Sequence, residues 1–245
     1  GWLRVTRIAG RDQLAVELST SLAPALPGIL MRLRNLFDLD ARPDVIDGPL
    51  AQDPRLAPLV KHRAGLRVPG AFDLFELCVR AVLGQLVSVR GASTLAGRIA
   101  ERFGEAMETP LAGLNRLTPT AAAIAAARSL SLQSIGLPST RAETLRNLAA
   151  TIAKRRIAFD ATLQPTSVIE QLQQLPGIGP WTAEYIAMRA LRWPDAFPTG
   201  DLGLKKALDL HPVRAIEVLA EEWRPWGSYA AMHLWECLST KRNTK

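Results

Sequence analysis

The segment Gln173-Gln174-Leu175-Pro176-Gly177-Ile178-Gly179-Pro180-Trp181-Thr182-Ala183 joins two stretches of helical apolar spacing. The first helix ends at Leu175, because Pro176 cannot continue it. Gly177 and Gly179 are expected at positive φ, where glycine carries no steric cost, and Ile178 reads as an apolar plug between them. Pro180 suits the first turn of the next helix. The amides at that helix start, reinforced by the helix dipole, form an anion site where a nucleic-acid phosphate can dock without any base being read. Gly177, Ile178, Gly179 and Thr182 are the candidates for that contact. The carbonyl oxygens of Gln173, Leu175 and Ile178 are candidates to hold a monovalent cation, Na+ or K+, beside it. A bare Pro-Gly-x-Gly is more often an ordinary glycine-rich turn between helices, so the neighbouring sequence has to decide.

About twenty residues on, Phe197-Pro198-Thr199-Gly200-Asp201-Leu202 sets an acid at the mouth of another short helix. Asp is a good N-cap, and a cap is compatible with catalysis if its second oxygen is free. Further along, Trp223-Arg224-Pro225-Trp226-Gly227-Ser228-Tyr229-Ala230 leads into a helix bearing His233, Leu234 and Trp235. Five of the six Trp lie between Trp181 and Trp235. Trp193, Trp223 and Trp226 are expected in the core. His233 is expected to be a hydrogen-bonded helix residue rather than a base or ligand.

Outward from this region, the chain of 245 residues is 48% hydrophobic, enough for one large or two to three small domains. Its net charge of +7 favours a polyanionic partner: nucleic acid, an anionic membrane face or an acidic protein. Charge alone does not choose among them. The two cysteines, Cys78 and Cys237, have no metal-site spacing, so both are expected as buried thiols in a reducing cytoplasm. The apolar runs are too short or too interrupted to span a bilayer. Alternation near the N-terminus predicts two strands around the turn Gly10–Asp12, followed by a helix from Ala23 to Leu39. A Pro- and Gly-rich stretch from Asp40 to Gly70 reads as short helices and loops. Helices are then expected at Ala71–Val89, Ala92–Phe103, Pro119–Ser129, Thr140–Arg156, Thr166–Leu175, Pro180–Leu191, Leu202–Leu208, Pro212–Trp223 and Ser228–Thr240.

The hairpin Leu175–Ala183, the Asp201 segment and Trp223–Trp235 together resemble the bacterial DNA-3-methyladenine glycosylase II family. The resemblance runs back in order through Val82-Leu83-Gly84-Gln85-Leu86-Val87-Ser88-Val89, Arg67-Val68-Pro69-Gly70-Ala71-Phe72-Asp73 and Arg32–Asp38. It implies a mostly α fold, that of the helix-hairpin-helix DNA glycosylases, with a small, shortened α+β segment at 1–44. Within it, a helical domain at about 74–193 carries the hairpin motif (about 168–190). A discontinuous domain made of 45–73 plus 194–245 carries the acid.

The resemblance further implies base-excision repair of alkylated bases in a bacterial cytoplasm, on the nucleoid, by a monomer with no required cofactor. Its partner would be double-stranded DNA containing those bases. Leu86, beside Gln85, takes the place of the wedge that fills the gap left by a flipped base; core packing is the ordinary reading for such a leucine. Trp181, Tyr185 and Trp235 would line the base pocket and Asp201 would be the catalytic carboxylate. Three departures stand out: a shortened N-terminus, Pro180 where relatives often carry a basic residue, and Gly200 where some carry a second Asp. The shortened start leaves open a missing segment or a fused alkyl-DNA methyltransferase. Two other functions fit parts of the pattern. A bifunctional glycosylase/lyase for oxidised bases would place a Lys just after the hairpin, where this chain has Trp181. A non-catalytic helix-hairpin-helix DNA-binding module would leave Asp201 and the aromatics unexplained.

Overall fold

The computed structural model describes residues 1–85, 88–159 and 163–243, with side chains of the final helix followed to 239. Strands β1 (Leu3–Arg7) and β2 (Leu14–Leu18) pair antiparallel, Leu3 opposite Leu18 and Val5 opposite Val16. Alternation places these four apolar side chains on one half-buried face. A 3-10 turn (Thr20–Ala25) leads into α1 (Leu26–Leu36), followed by α2 (Pro43–Leu50) and α3 (Ala57–His62). The expected single helix from Ala23 is thus two elements. Pro24 lies inside the 3-10 turn and Pro27 in the first turn of α1.

The rest is helical: α4 (Leu74–Leu83), α5 (Val89–Phe103), α6 (Ala121–Ala126), α7 (Ser129–Gln133), α8 (Ser139–Ala153), α9 (Pro165–Gln173), α10 (Pro180–Ala190), α11 (Leu202–Leu208), α12 (Val213–Glu221) and α13 (Gly227–Asn243). One expected helix, Ala71–Val89, is wrong at both ends. Asp73 caps α4 by accepting from the Glu76 amide at 2.7 Å, and Glu76 stands at the third helical position, so the helix begins at Leu74. It stops at Leu83 with Gly84 following. Ser88 Oγ then accepts from the Gly91 amide at 3.1 Å and starts α5 at Val89, earlier than the expected Ala92. The expected helix Pro119–Ser129 shortens to α6, capped by Thr120 and ending at Ala126, and a separate short helix, α7, begins at Ser129.

Three apolar clusters hold the helices. The first gathers Ile46, Leu50, Val60, Leu204, Ile216 and Leu234 from α2, α3, α11, α12 and α13. The second joins α4, α8, α9 and α10 around Val82, Leu148, Leu172, Ile178 and Ile186. The third lies on another side of α4, against α5, α6 and α8. Helix α10 reaches into two of them, through Met188 in the first and Ile186 in the second. Trp193 packs on both.

Polar ties cross between distant segments. Buried Asp38 Oδ2 accepts from the Val68 amide at 3.1 Å and the Tyr229 hydroxyl at 2.9 Å. Asp53 Oδ2 accepts from the Trp223 indole at 2.9 Å. Burial, then the Asp38 charge, raises the Tyr229 phenol above its ordinary pKa. As expected, Trp223 is buried and Trp193 and Trp226 pack against the core. His233 differs from expectation: it is 2% exposed, and its Nε2 meets no partner among the described residues. Burial lowers its pKa. Cys78 is fully buried, whereas Cys237 is only half-buried; both are free. Among the described residues no helix is long and apolar enough to cross a membrane.

Candidate functional site

Asp201 is the N-cap of α11, in extended conformation. Its Oδ1 accepts from the Leu204 amide at 2.9 Å and from the Trp235 indole at 2.9 Å. Its Oδ2 accepts from the Trp181 indole at 2.8 Å. The second oxygen is therefore not free, contrary to the condition set from sequence: an indole reaches it from α10 while another reaches Oδ1 from α13. Indole N–H groups donate only, so both hold the carboxylate strictly as an acceptor. Three of its roughly four acceptor sites are filled, and the one remaining is on Oδ2.

Gly203 makes this grip sterically feasible. A Cβ there would lie 2.9 Å from Asp201 Oδ1 and 3.2 Å from Trp235 Cδ1. Nothing in the residue types alone marks it. The aromatics continue along α10: Trp181 stacks on Tyr185 with centroids 5.5 Å apart and planes 14° apart, and Trp235 meets Tyr185 at 6.4 Å, tilted by 56°. The structure thus brings together Asp201, Trp181, Tyr185 and Trp235, all half-buried. Helix α10 adds two charged residues not singled out from sequence. Arg189 lies over the Tyr185 ring. Burial, with the nearby Asp195 charge adding to it, pushes the Glu184 carboxyl up to about 7. Arg189 was within reach of sequence reasoning, since it continues the Trp181–Tyr185 spacing by one more turn.

At the hairpin, Gly177 has φ +85°, and a Cβ there would collide with Thr144 Oγ1 on α8. Both backbone and space require glycine at this position. Gly179 corrects the expectation. Its φ of −88° is open to any residue, and a Cβ would meet nothing within 4 Å. It is extended because it is the N-cap of α10, not because the turn needs a left-handed residue there.

Two side chains proposed for phosphate contact are turned inward. Ile178 is 4% exposed in the second cluster and its N–H is spent on Leu175 O at 3.0 Å. Thr182 is 2% exposed, with its hydroxyl accepting from Gln85 Nε2 at 2.8 Å. The backbone N–H groups of Gly177, Gly179, Trp181 and Thr182 have no acceptor among the described residues. Residues Gln173 to Gly179 line an open depression of about 410 Å³.

Gln85 is bound to the hairpin, donating also to Gly177 O at 3.0 Å, while Arg141 holds Gln85 O at 2.7 Å. It links the turn after α4 to the hairpin and to the start of α10. Leu86 lies outside the described residues. Lys205 is half-buried and Lys206 exposed on α11.

Among solved structures, the fold is that of the helix-hairpin-helix DNA glycosylases. A 3-methyladenine DNA-glycosylase from Archaeoglobus fulgidus superposes with a TM-score of 0.76, at 23% identity over 96% of this chain and 85% of that one. The Clostridium acetobutylicum 8-oxoguanine glycosylase/lyase in complex with double-stranded DNA gives 0.81, at 18% identity over 98% and 82%. Residues 1–73 match the AlkA N-terminal domain family. DNA-3-methyladenine glycosylase 2 of Escherichia coli is 36% identical over 225 residues, 92% of this chain and 77% of that protein. The chain belongs to the DNA-3-methyladenine glycosylase 2 family. A probable bifunctional transcriptional activator/DNA repair enzyme AlkA of Mycobacterium tuberculosis is 41% identical over 211 residues, 84% of this chain. The chain spans only 42% of that protein's length.

Proposed function

We propose that this chain hydrolyses the N-glycosidic bond of alkylated bases, of the 3-methyladenine and 7-methylguanine type, in double-stranded DNA. The observation that carries the reading is the Asp201 carboxylate gripped by two aromatic side chains beside a third. A base rotated out of the duplex would enter between Trp181 and Trp235. An alkylated purine carries positive charge, which an aromatic face attracts by roughly 0.5–2 kcal/mol. The same charge makes the base a good leaving group, so departure needs little acid assistance. As the bond breaks, the sugar becomes oxocarbenium-like. Asp201 sits at the aromatic cleft to stabilise that cation, and the remaining acceptor site on Oδ2 can take a proton-bearing edge of the attacking water.

The unpaired amides of the hairpin would take a duplex phosphate, which positions the DNA without reading sequence. The carbonyls of Gln173 and Ile178 have no partner among the described residues, and with Leu175 they border the 410 Å³ depression. They suit a hard monovalent cation, Na+ or K+, which would supply positive charge between hairpin and phosphate. In the wedge role, Leu86 would act from the connection that Gln85 anchors. No Lys follows the hairpin, where Trp181 stands, and the indole nitrogen is not a nucleophile; water rather than protein therefore adds to the sugar.

The test is incubation with methylated duplex DNA, followed by a denaturing gel with and without borohydride. The reading requires free alkylated base and an intact abasic strand. A covalent protein–DNA band lost on replacing Lys205 or Lys206 would establish a lyase instead, and binding without base release a mere DNA-binding module.

A further inference from the structure

Trp181, Tyr185 and Arg189 recur every four residues along α10, so each stands one turn beyond the last. The Trp181 and Tyr185 centroids are 5.5 Å apart, and Arg189 Cζ lies 5.3 Å from the Tyr185 centroid. Both spacings match the helical pitch of about 5.4 Å. Tyr185 is therefore enclosed, with an indole toward the helix N-terminus and a guanidinium toward the C-terminus. It has no free face to offer a base, which must stack on Trp181 or Trp235.

Arg189 Nη1 donates to Pro69 O at 2.7 Å, its Nε is buried without a partner, and no carboxylate pairs with it among the described residues. An Arg always carries its charge, and here the charge is held against the aromatic column without a counter-ion. Asp201 marks the opposite end, bonded to the Trp181 indole. The column is thus bracketed by a negative group at its mouth and a positive group at its base.

We propose that Arg189 is a specificity-determining residue whose positive charge restrains the cleft's preference for cationic bases and so keeps neutral bases within its range. The proposal rests on the base-excision reading above. A cationic base stacked at the mouth is attracted by Asp201 and repelled by Arg189 across the intervening rings, whereas a neutral base is little affected by either. At that distance, with partial solvent screening, the repulsion is worth roughly three- to tenfold in relative rate.

The experiment compares single-turnover release of 7-methylguanine, cationic in DNA, with release of hypoxanthine, which is neutral, for the parent, Arg189→Gln and Arg189→Lys. The expected result is a ratio of cationic to neutral release raised roughly three- to tenfold in Arg189→Gln and held within about twofold in Arg189→Lys. A merely structural role predicts that both rates fall together with the ratio unchanged, and that result, or a lowered ratio, overturns the proposal. Arg189→Met, which keeps much of the packing length, repeats the charge removal should Arg189→Gln fail to fold. A parent that releases neither base refutes the excision reading and leaves a direct binding test. Quenching of Trp fluorescence at pH 6 by 7-methylguanosine and by guanosine should then show the cationic nucleoside gaining in Arg189→Gln; equal affinities across the variants overturn the proposal on that readout too.

Discussion

Replacing Asp201 by Asn keeps the size and the helix-capping oxygen, but the hydrogen-bond geometry opposes it. Oδ1 serves two donors, the Leu204 amide and the Trp235 indole, while Oδ2 serves only Trp181. The amide should settle with its carbonyl in the Oδ1 place. Its NH2 then faces the Trp181 N–H across 2.8 Å, donor against donor. A half-buried donor left unpaired costs about 1–3 kcal/mol, and that is the expected loss of folding stability. Trp181→Phe removes the orphaned donor, so combined with Asp201→Asn it should cost at least about 1 kcal/mol less than it does alone. The assay is urea denaturation followed by far-ultraviolet circular dichroism on the four members of the cycle. Additivity within about 0.5 kcal/mol would refute the indole–carboxylate grip. In the same Asp201→Asn protein, base release should fall by orders of magnitude while duplex binding survives; a loss of only a few-fold would reduce Asp201 to a helix cap.

The two hairpin glycines should separate stability from binding. Gly177→Ala combines a left-handed φ with a collision at Thr144 and should cost about 2–4 kcal/mol, visible as a lowered Tm, with part of the loss recovered by Thr144→Ala. Gly179→Ala should leave Tm within about 2 °C and, if phosphate approaches there, weaken binding to every duplex alike. An effect confined to one lesion would contradict that role. Glu184 gives the pH dependence. Its carboxyl rises from an ordinary 4.5 to about 7 on folding, so the native state holds its proton more tightly than the unfolded chain. Its stabilising contribution is complete below pH 4.5 and is lost as pH rises to about 7 and above, by up to about 3 kcal/mol. Glu184→Gln should flatten that slope in denaturation measured from about pH 5 to 8; an unchanged slope would assign it to other groups.

Local chemistry makes much of this molecule legible in the sequence. The Leu202–Leu208 helix begins at its Asp cap, and the hairpin turns where Pro176 and Gly177 require. The strand pair follows alternation alone. The errors come where local patterns carry no information about neighbours. The apolar run through Leu83 and Leu86 reads as continuous, although Gly84 and Ser88 divide it, because periodicity weighs side chains and not caps. Gly179 takes a backbone role only by analogy with Gly177, yet a left-handed φ and contact with Thr144 on a distant helix set Gly177 apart. At the site, the residue types are readable but their bonds are not. Nothing in the spacing of Trp181, Asp201 and Trp235 shows that two indoles converge on one carboxylate, or that Gly203 leaves room for them. Gln85 gives no sign that its amide spans to the hairpin.

The ties made by Trp223, Tyr229 and Trp235 have a consequence for how the chain is made. Tyr229 bonds to Asp38 across 191 residues, Trp223 to Asp53 across 170 and Trp235 to Asp201 across 34. During synthesis the early segments emerge first, at about 5–20 residues per second. The carboxylates of Asp38 and Asp53 then wait for the Tyr229 hydroxyl and the Trp223 indole, and the apolar sides of α2 and α3 for α11, α12 and α13, until the chain has been made past Tyr229. The second and third clusters can assemble earlier from residues 75–187 alone. A ribosome stalled before Trp235 would release a polypeptide able to form its hairpin and two of its clusters, but with Asp201 missing one of the two indoles that hold it.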